Sequence, residues 1–266
     1  MPPVTLLSPW QRHIQRANEL SRQYSFAAEI LGFYIHVAGF QEELHRRLSA
    51  DSALASFGHE LSPKVLSELI VEFDSFLSIA EKRGPDELAR ISCELRSRGE
   101  NFWRDLLAGT WASPSVSDAP GFLALVFLQP LAELLRSRAT ALAERHTYAF
   151  CRFCNRRPVV GVLRQMGEGA ARSLICSFCL AEWDFRRLIC PACNEENDQK
   201  FSVFTSGDFD YIRIECCDTC KTYIKTIDLT KNGHADPIVD ELASAPLDLW
   251  ARDRGYAKLQ SNLMGM

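Results

Sequence analysis

Through the first 148 positions, apolar residues return at helical intervals. Leu20, Tyr24, Ala27, Leu31, Tyr34, Ile35 and Ala38 recur every three or four residues, which predicts a buried stripe on a helix from about 20 to 48. Just upstream, Ser8-Pro9-Trp10-Gln11 has the form of a capping box with proline at the first helical position. In "LSPKVLSELIVEFDSFLSIAEKR", Ser62 and Pro63 start a second helix, and Val65, Leu66, Leu69, Ile70, Phe73 and Leu77 line one of its faces. Gly84-Pro85 ends it and opens another, "DELARISCELRSRGENFWRDLL". "TWASPSVSDAPG" (110–121) reads as a loop, and a last apolar helix runs to about Tyr148 through Pro130, which should kink it.

From Phe150 the period changes. "PVVGVLRQ", "SLIC", "WDFRRLIC", "FSVFTS", "YIRIEC" and "TYIKTIDL" are short β-prone stretches separated by Gly, Asn, Asp and pairs of cysteines. Stretches this short bury little surface alone, so the region needs covalent or metal staples.

Composition narrows the possible partners. Of 266 residues, 47% are hydrophobic and 24% charged, and the net charge is −4. Residues 151–230 hold equal numbers of basic and acidic side chains, so no basic stripe points to nucleic acid or an anionic membrane. The start, "MPPVTLLSPWQRH", lacks the pattern of a secretory signal. The most apolar run, "GFLALVFLQPLAELL" (121–135), is interrupted by Gln129 and Pro130 and falls short of a membrane span. The expectation is a cytoplasmic chain, not inserted in a membrane, whose thiols are reduced. In the helical half, Cys93 fits a core position, as do Trp103 and Trp111. His13, His36, His45 and His59 show no metal-binding spacing.

The chemistry lies in four C-x-x-C pairs: Cys151/Cys154, Cys176/Cys179, Cys190/Cys193 and Cys217/Cys220. The intervals between them are 21, 10 and 23 residues, a long–short–long rhythm that suggests two successive units, each closed by two pairs. Two cysteines so spaced can turn both sulfurs inward around a tight knuckle. Two facing knuckles supply the four sulfurs of a tetrahedral zinc or iron site. Asn155 and Asn194 follow their knuckles, where a left-handed backbone is useful; Leu180 and Lys221 suit that role less well. Disulfides conflict with a reducing compartment, and a thioredoxin-like centre needs one such pair at a strand–helix junction, not four. Cys216 reads as a spare thiol beside Cys217, and His146, Trp183 and His234 read as surface or packing residues. The chain contains no G-x-G-x-x-G, P-loop or G-x-S-x-G motif, so it is not expected to be an enzyme.

"CRFCNRRPVVGVL", "SLICSFCLAEWDFRRLICPACN", "IECCDTCKTYIKTIDL" and the tail "PIVDELASAPLDLWARDRGY" resemble the bacterial formate dehydrogenase accessory protein family FdhE. The likeness covers roughly 146–262. It is more specific than the cysteines alone, because the Glu182-Trp183 pair and the Asp240–Asp248 segment take no part in metal chemistry. It implies an α+β chain: a helical domain over 1–148, then two small rubredoxin-like or zinc-ribbon-like modules over 149–188 and 189–266, the second with a helical tail. It also implies Cys151, Cys154, Cys176 and Cys179 as ligands of one metal and Cys190, Cys193, Cys217 and Cys220 as ligands of another. The implied cofactors are two iron ions, or zinc. The implied partner is the catalytic subunit of a formate dehydrogenase, which the protein would help to mature without being a dehydrogenase itself. Cys216 and Lys221 depart from the family pattern, which more often has a single cysteine pair followed by glycine here. Two other readings are a rubredoxin-type electron carrier and a zinc-ribbon nucleic-acid binder, the latter disfavoured by the neutral charge of 151–230.

Overall fold

The computed structural model describes residues 7–50, 61–113, 116, 118–139, 148–262 and 265, so His59 and His146 lie outside the described residues. The chain divides into two compact units, Met1–Leu134 and Leu135–Met266.

The first unit is helical: α1 (Pro9–Gln23), α2 (Ala28–Ser49), α3 (Pro63–Arg83), α4 (Asp86–Ala112) and α5 (Ala119–Arg138). The capping box at Ser8 is present. Its hydroxyl accepts from the Gln11 N–H at 3.0 Å, and its own N–H donates to Gln11 Oε1 at 3.1 Å. Ser62 caps α3 by accepting from the Val65 N–H.

The single helix expected over 20–48 is instead two. Tyr24 closes α1 in an extended conformation (φ −122°, ψ 96°), and a short 3₁₀ turn, Ser25–Ala27, leads into α2. The stripe of spacings survives the break because Leu20, Ala27 and Leu31 are buried on both sides of it. Gly99 also interrupts α4, at φ 77°. Trp103 then donates its indole N–H to the Leu95 carbonyl at 2.7 Å, the acceptor that a regular helix assigns to residue 99.

Cys93 is exposed, contrary to expectation. The buried stripe of α4 runs through Ile91, Ser92 and Leu95, and residue 93 falls on the opposite side of the helix. Trp103 and Trp111 are buried as expected. His13 bonds the Tyr34 hydroxyl and His45 packs on Trp10, which accounts for both as packing residues.

The apolar run at 121–135 belongs to a helix of 20 residues, longer than the run itself. Among the described residues α5 is the one helix long and apolar enough to cross a membrane. Its most apolar window is 72% buried within the protein, as a core helix would be. Phe127 packs against Phe73 (ring centroids 4.9 Å apart) and Phe76 (5.8 Å). The helix continues through Pro130 to Arg138 and not to Tyr148. Proline lacks the N–H that would bond the Val126 carbonyl, and the buried Gln41 side chain takes that carbonyl at 2.8 Å.

The second unit is built on one sheet. Its strands are β1 (Pro158–Met166), β2 (Gly169–Cys176), β3 (Glu182–Asp184), β4 (Phe201–Ser206), β5 (Phe209–Cys217), β6 (Thr222–Asp228) and β7 (Ala257–Lys258). Their order is β3-β2-β1-β6-β5-β4, with β7 also pairing with β6. Each half is an antiparallel three-stranded meander, and the halves meet where β1 runs parallel to β6. Of the stretch "WDFRRLIC" only Trp183 and Asp184 are in a strand; the rest is the connection to the second meander.

Helices α6 (Pro237–Ala243) and α7 (Ala245–Asp253) lie between β6 and β7 in the chain. They are tied to β6 by a buried charge network. Lys225, fully buried, reaches Asp248 at 2.7 Å, Glu241 at 3.0 Å and the Ser244 hydroxyl at 3.0 Å. Lys258 pairs with the same two carboxylates, and Tyr223 donates to Asp248 at 2.7 Å. Two lysines face two carboxylates, so no charge is buried uncompensated.

The join between the meanders depends on the absence of a side chain at Gly161. In the β1–β6 ladder Gly161 pairs with Thr226, and a Cβ there would lie 2.3 Å from Thr226 Oγ1. Gly161→Ala should destabilise the second unit by about 1–3 kcal/mol, measured by denaturant unfolding. Adding Thr226→Ala should recover part of the loss. Strict additivity of the two changes would show that the clash is not the cause.

Candidate metal centres

The first knuckle of each meander precedes its first strand, and the second lies where its middle strand ends. Cys151 and Cys154 stand before β1, and Cys190 and Cys193 before β4. Cys176 ends β2 and Cys217 ends β5, with Cys179 and Cys220 in the turns that follow. The two leading knuckles have matching backbone bonds. The N–H of Cys151 donates to the Arg156 carbonyl at 2.9 Å, and that of Cys190 to the Glu195 carbonyl at 3.0 Å. Asn155 and Asn194 donate back to the carbonyls of Cys151 and Cys190, each at 2.9 Å.

All four residues that follow a knuckle adopt positive φ: Asn155 (54°), Leu180 (50°), Asn194 (60°) and Lys221 (55°). The role read for the two asparagines thus extends to Leu180 and Lys221, where the residue type gave little hint.

These turns bring the sulfurs together in two sets. In the first, Cys151 lies 3.4 Å from Cys179, and Cys154 lies 3.3 Å from Cys176 and 3.7 Å from Cys179. In the second, Cys190–Cys220 and Cys193–Cys217 are both 3.7 Å. Within each set all four sulfurs lie within 4.8 Å of one another. A tetrahedral ion with metal–sulfur bonds near 2.3 Å requires sulfurs about 3.8 Å apart, so both sets fit such an ion. They do not fit disulfides, whose sulfurs are bonded at about 2.0 Å. The N–H groups of Phe178 and Ala192 point at the sulfurs of Cys176 and Cys190, each at 3.4 Å, and would stabilise thiolates there.

The crowding appears in the acidity of the thiols. Hydrogen bonds with Cys154, Cys176 and Cys179 pull Cys151 far below an ordinary thiol, while burial above all pushes Cys176 well above one. Burial likewise raises Cys190 and Cys193. Burial resists ionisation of Cys220 as well, but hydrogen bonding with Thr222 and then Cys193 draws it down to about 7. Each set thus contains thiols shifted in opposite directions, as expected of crowded groups that share protons until a cation supplies the missing charge.

Cys216 is buried but belongs to neither set. It neighbours Cys217 on β5, where successive side chains point to opposite faces. Burial, above all, pushes its thiol up to about 12. Trp183 is buried and donates its indole N–H to the Tyr148 carbonyl, and His234 is exposed.

Two residues that the sequence did not single out hold the centres' surroundings together. Arg172, on β2, makes a buried ion pair with Glu215 on β5. It also donates to the carbonyls of Arg186 (3.3 Å) and Ile189 (3.2 Å), in the connection that leads to Cys190. Long cross-sheet pairs of this kind leave no local spacing to read.

Fold and site define a class: a chain with a helical unit and a single sheet carrying two four-cysteine centres of knuckle type. The comparisons make this specific. Residues 130–187 match the model described as "FdhE, central domain", and residues 188–264 match "FdhE, C-terminal domain". The chain belongs to the FdhE family. It is 27% identical to a "Protein FdhE homolog" of Aquifex aeolicus, over 95% of this chain and 94% of that one. A homologue from Actinobacillus pleuropneumoniae is 28% identical over 68% of this chain, which spans only 56% of that relative's length. The crystal structure of the FdhE protein from Pseudomonas aeruginosa shares the fold, with a TM-score of 0.68 and 22% identity over 96% of this chain and 94% of that one.

Because each sulfur set is closed within one meander, Cys154→Ser should remove one bound metal and spare the other. Metal content per chain would show it. If Cys154→Ser and Cys193→Ser emptied the same site, the pairing of knuckles would be wrong. Chelation should also expose the second unit to protease beyond Phe150 while sparing a helical N-terminal fragment, because the short strands depend on the staples. Equal digestion of both parts would contradict that dependence.

Proposed function

We propose that this protein is a cytoplasmic accessory factor for formate dehydrogenase: it binds the enzyme's catalytic subunit and is required for the enzyme to become active. It carries two metal ions, iron or zinc. One is held by Cys151, Cys154, Cys176 and Cys179, the other by Cys190, Cys193, Cys217 and Cys220. In this reading 149–188 and 189–266 each form the module around one centre.

The observation that carries the proposal is the match of the whole cysteine-bearing region, 130–264, to the two FdhE models. The geometry supports it in a second way. Four sulfur donors saturate a tetrahedral ion and leave no coordination position for a substrate, so such a centre serves structure, or one-electron exchange if it holds iron. The protein's contribution to the enzyme is then made by contact rather than by turnover. Loops pinned by a metal offer a partner a surface that loses little conformational freedom on binding.

Deletion of the gene should leave formate dehydrogenase protein present but inactive, and the wild-type gene should restore activity. A Cys190→Ser/Cys193→Ser version should fail to do so while the helical unit remains folded. Normal formate-dependent activity in the deletion strain would sink the proposal. Full rescue by the double serine variant would remove the second centre from the task and leave the partner role standing.

A further inference from the structure

The two centres share a backbone plan but differ in cover and in charge. In the first, Cys151, Cys176 and Cys179 are buried and only Cys154 is partly exposed. Every residue of its second knuckle, Cys176 to Cys179, is buried. That knuckle lies beside the C-terminal segment: Ser177 and Leu180 face Ile238, Leu242 and Asn262 across a small enclosed gap. In the second centre, Cys193 is exposed and Cys220 partly so. The knuckle between Cys217 and Cys220 carries a half-buried Asp218 and an exposed Thr219. One corner of this centre, at Cys193, is therefore exposed, where the first centre has no exposed cysteine.

The charges differ at matching positions. Arg156 and Glu195 occupy the same place in the two leading knuckles, as their bonds to Cys151 and Cys190 show. Arg156 is 3% exposed and lies at 4.4 Å over the ring of Phe178, the residue between Cys176 and Cys179 in the second knuckle. A divalent ion held by four thiolates leaves two negative charges in a site of low dielectric, and a buried guanidinium offsets part of that. At the second centre the corresponding side chain is a carboxylate. Glu195 accepts from Thr219 at 2.6 Å and so ties the two knuckles together, but it adds negative charge to a site already negative.

We infer that the two centres are divided by construction: the first, covered and with part of its negative charge offset by Arg156, retains its metal as a structural pin, whereas the second is the centre at which metal exchanges with the surroundings. Exchange begins when one sulfur leaves the ion and a competing ligand takes its place. Cys193 can do this at an exposed corner of the second centre, whereas the first centre has no exposed cysteine and its one partly covered sulfur, Cys154, faces a knuckle at Cys176–Cys179 that is buried throughout. The inference rests on the reading that both sets hold metal.

The full-length protein loaded with zinc provides the test. Excess EDTA is added, zinc release is timed with a colorimetric indicator, and freed thiols are trapped with iodoacetamide and located by peptide mass mapping. Release should occur in two phases of one zinc each, the faster by about tenfold or more, with label appearing first at Cys190, Cys193, Cys217 and Cys220. A single phase, or first label at Cys151, Cys154, Cys176 and Cys179, overturns the division. Arg156→Gln should accelerate the slow phase by about tenfold and leave the fast one unchanged, with Arg156→Lys in between. An unchanged slow phase in Arg156→Gln removes the role given to the charge. Uptake of fewer than two zinc ions by the wild type overturns the metal reading and this inference with it; full uptake with equal release overturns this inference alone.

Discussion

The second unit depends on the convergence of four sulfurs at each of two points. Sulfurs held 3.3–3.7 Å apart do not form a stable arrangement by themselves. As thiolates they repel, and as thiols they are weak hydrogen-bond partners. Everything nearby is shaped to hold them there. Each knuckle ends on a residue with positive φ, including Leu180 and Lys221, for which the left-handed backbone costs about 1–2 kcal/mol. A chain keeps such strain only where the surroundings over-determine it, as a tetrahedral ion bound by the four sulfurs would.

That the two centres share one sheet changes what a module means here. β1 and β6 pair in parallel through Gly161 and Thr226, so the first meander's leading strand lies beside the second's final strand. Arg172 reaches from β2 to Glu215 on β5 and holds two carbonyls of the connection that delivers Cys190. The ion pair is buried, and breaking such a pair by removing one partner costs about 3–5 kcal/mol. Loss of either partner would therefore loosen the approach to the second centre as well as the sheet. Two sites that look independent along the chain are mechanically joined.

The cysteine pairing was legible in sequence because the knuckle is local: two sulfurs per tight turn, and intervals that group the turns in twos. Five of the six predicted strands were legible for a similar reason, since alternation and turn residues bound them on both sides. The breaks were not. Tyr24 and Gly99 interrupt helices whose apolar spacing runs on across the break, so periodicity alone sees one helix. Cys93 was misplaced because spacing within a short window does not fix which side of a helix faces the core. The contact that joins the meanders, Arg172 with Glu215, and those that join β6 to the tail, Lys225 with Glu241 and Asp248, connect residues 16 to 43 positions apart. Such partners are visible only in three dimensions.

The buried network shows why the tail belongs to the cysteine region rather than following it. Lys225 lies on β6, within the second meander, and its partners Glu241 and Asp248 come from α6 and α7. Lys258, on β7, completes the balance beside the same strand. A lysine buried on a sheet face is tolerable only if both carboxylates are in place, so β6 cannot pack as it does without the segment that supplies them. The family-specific words of the tail thus have a physical meaning apart from the metals: Glu241 and Asp248 neutralise a charge that the sheet has already buried. The second four-cysteine cluster stands at one end of β6, and the tail's carboxylates secure its face. Together they give the centres a rigid base on which the leading knuckles differ in charge, with buried Arg156 at one and Glu195 at the other.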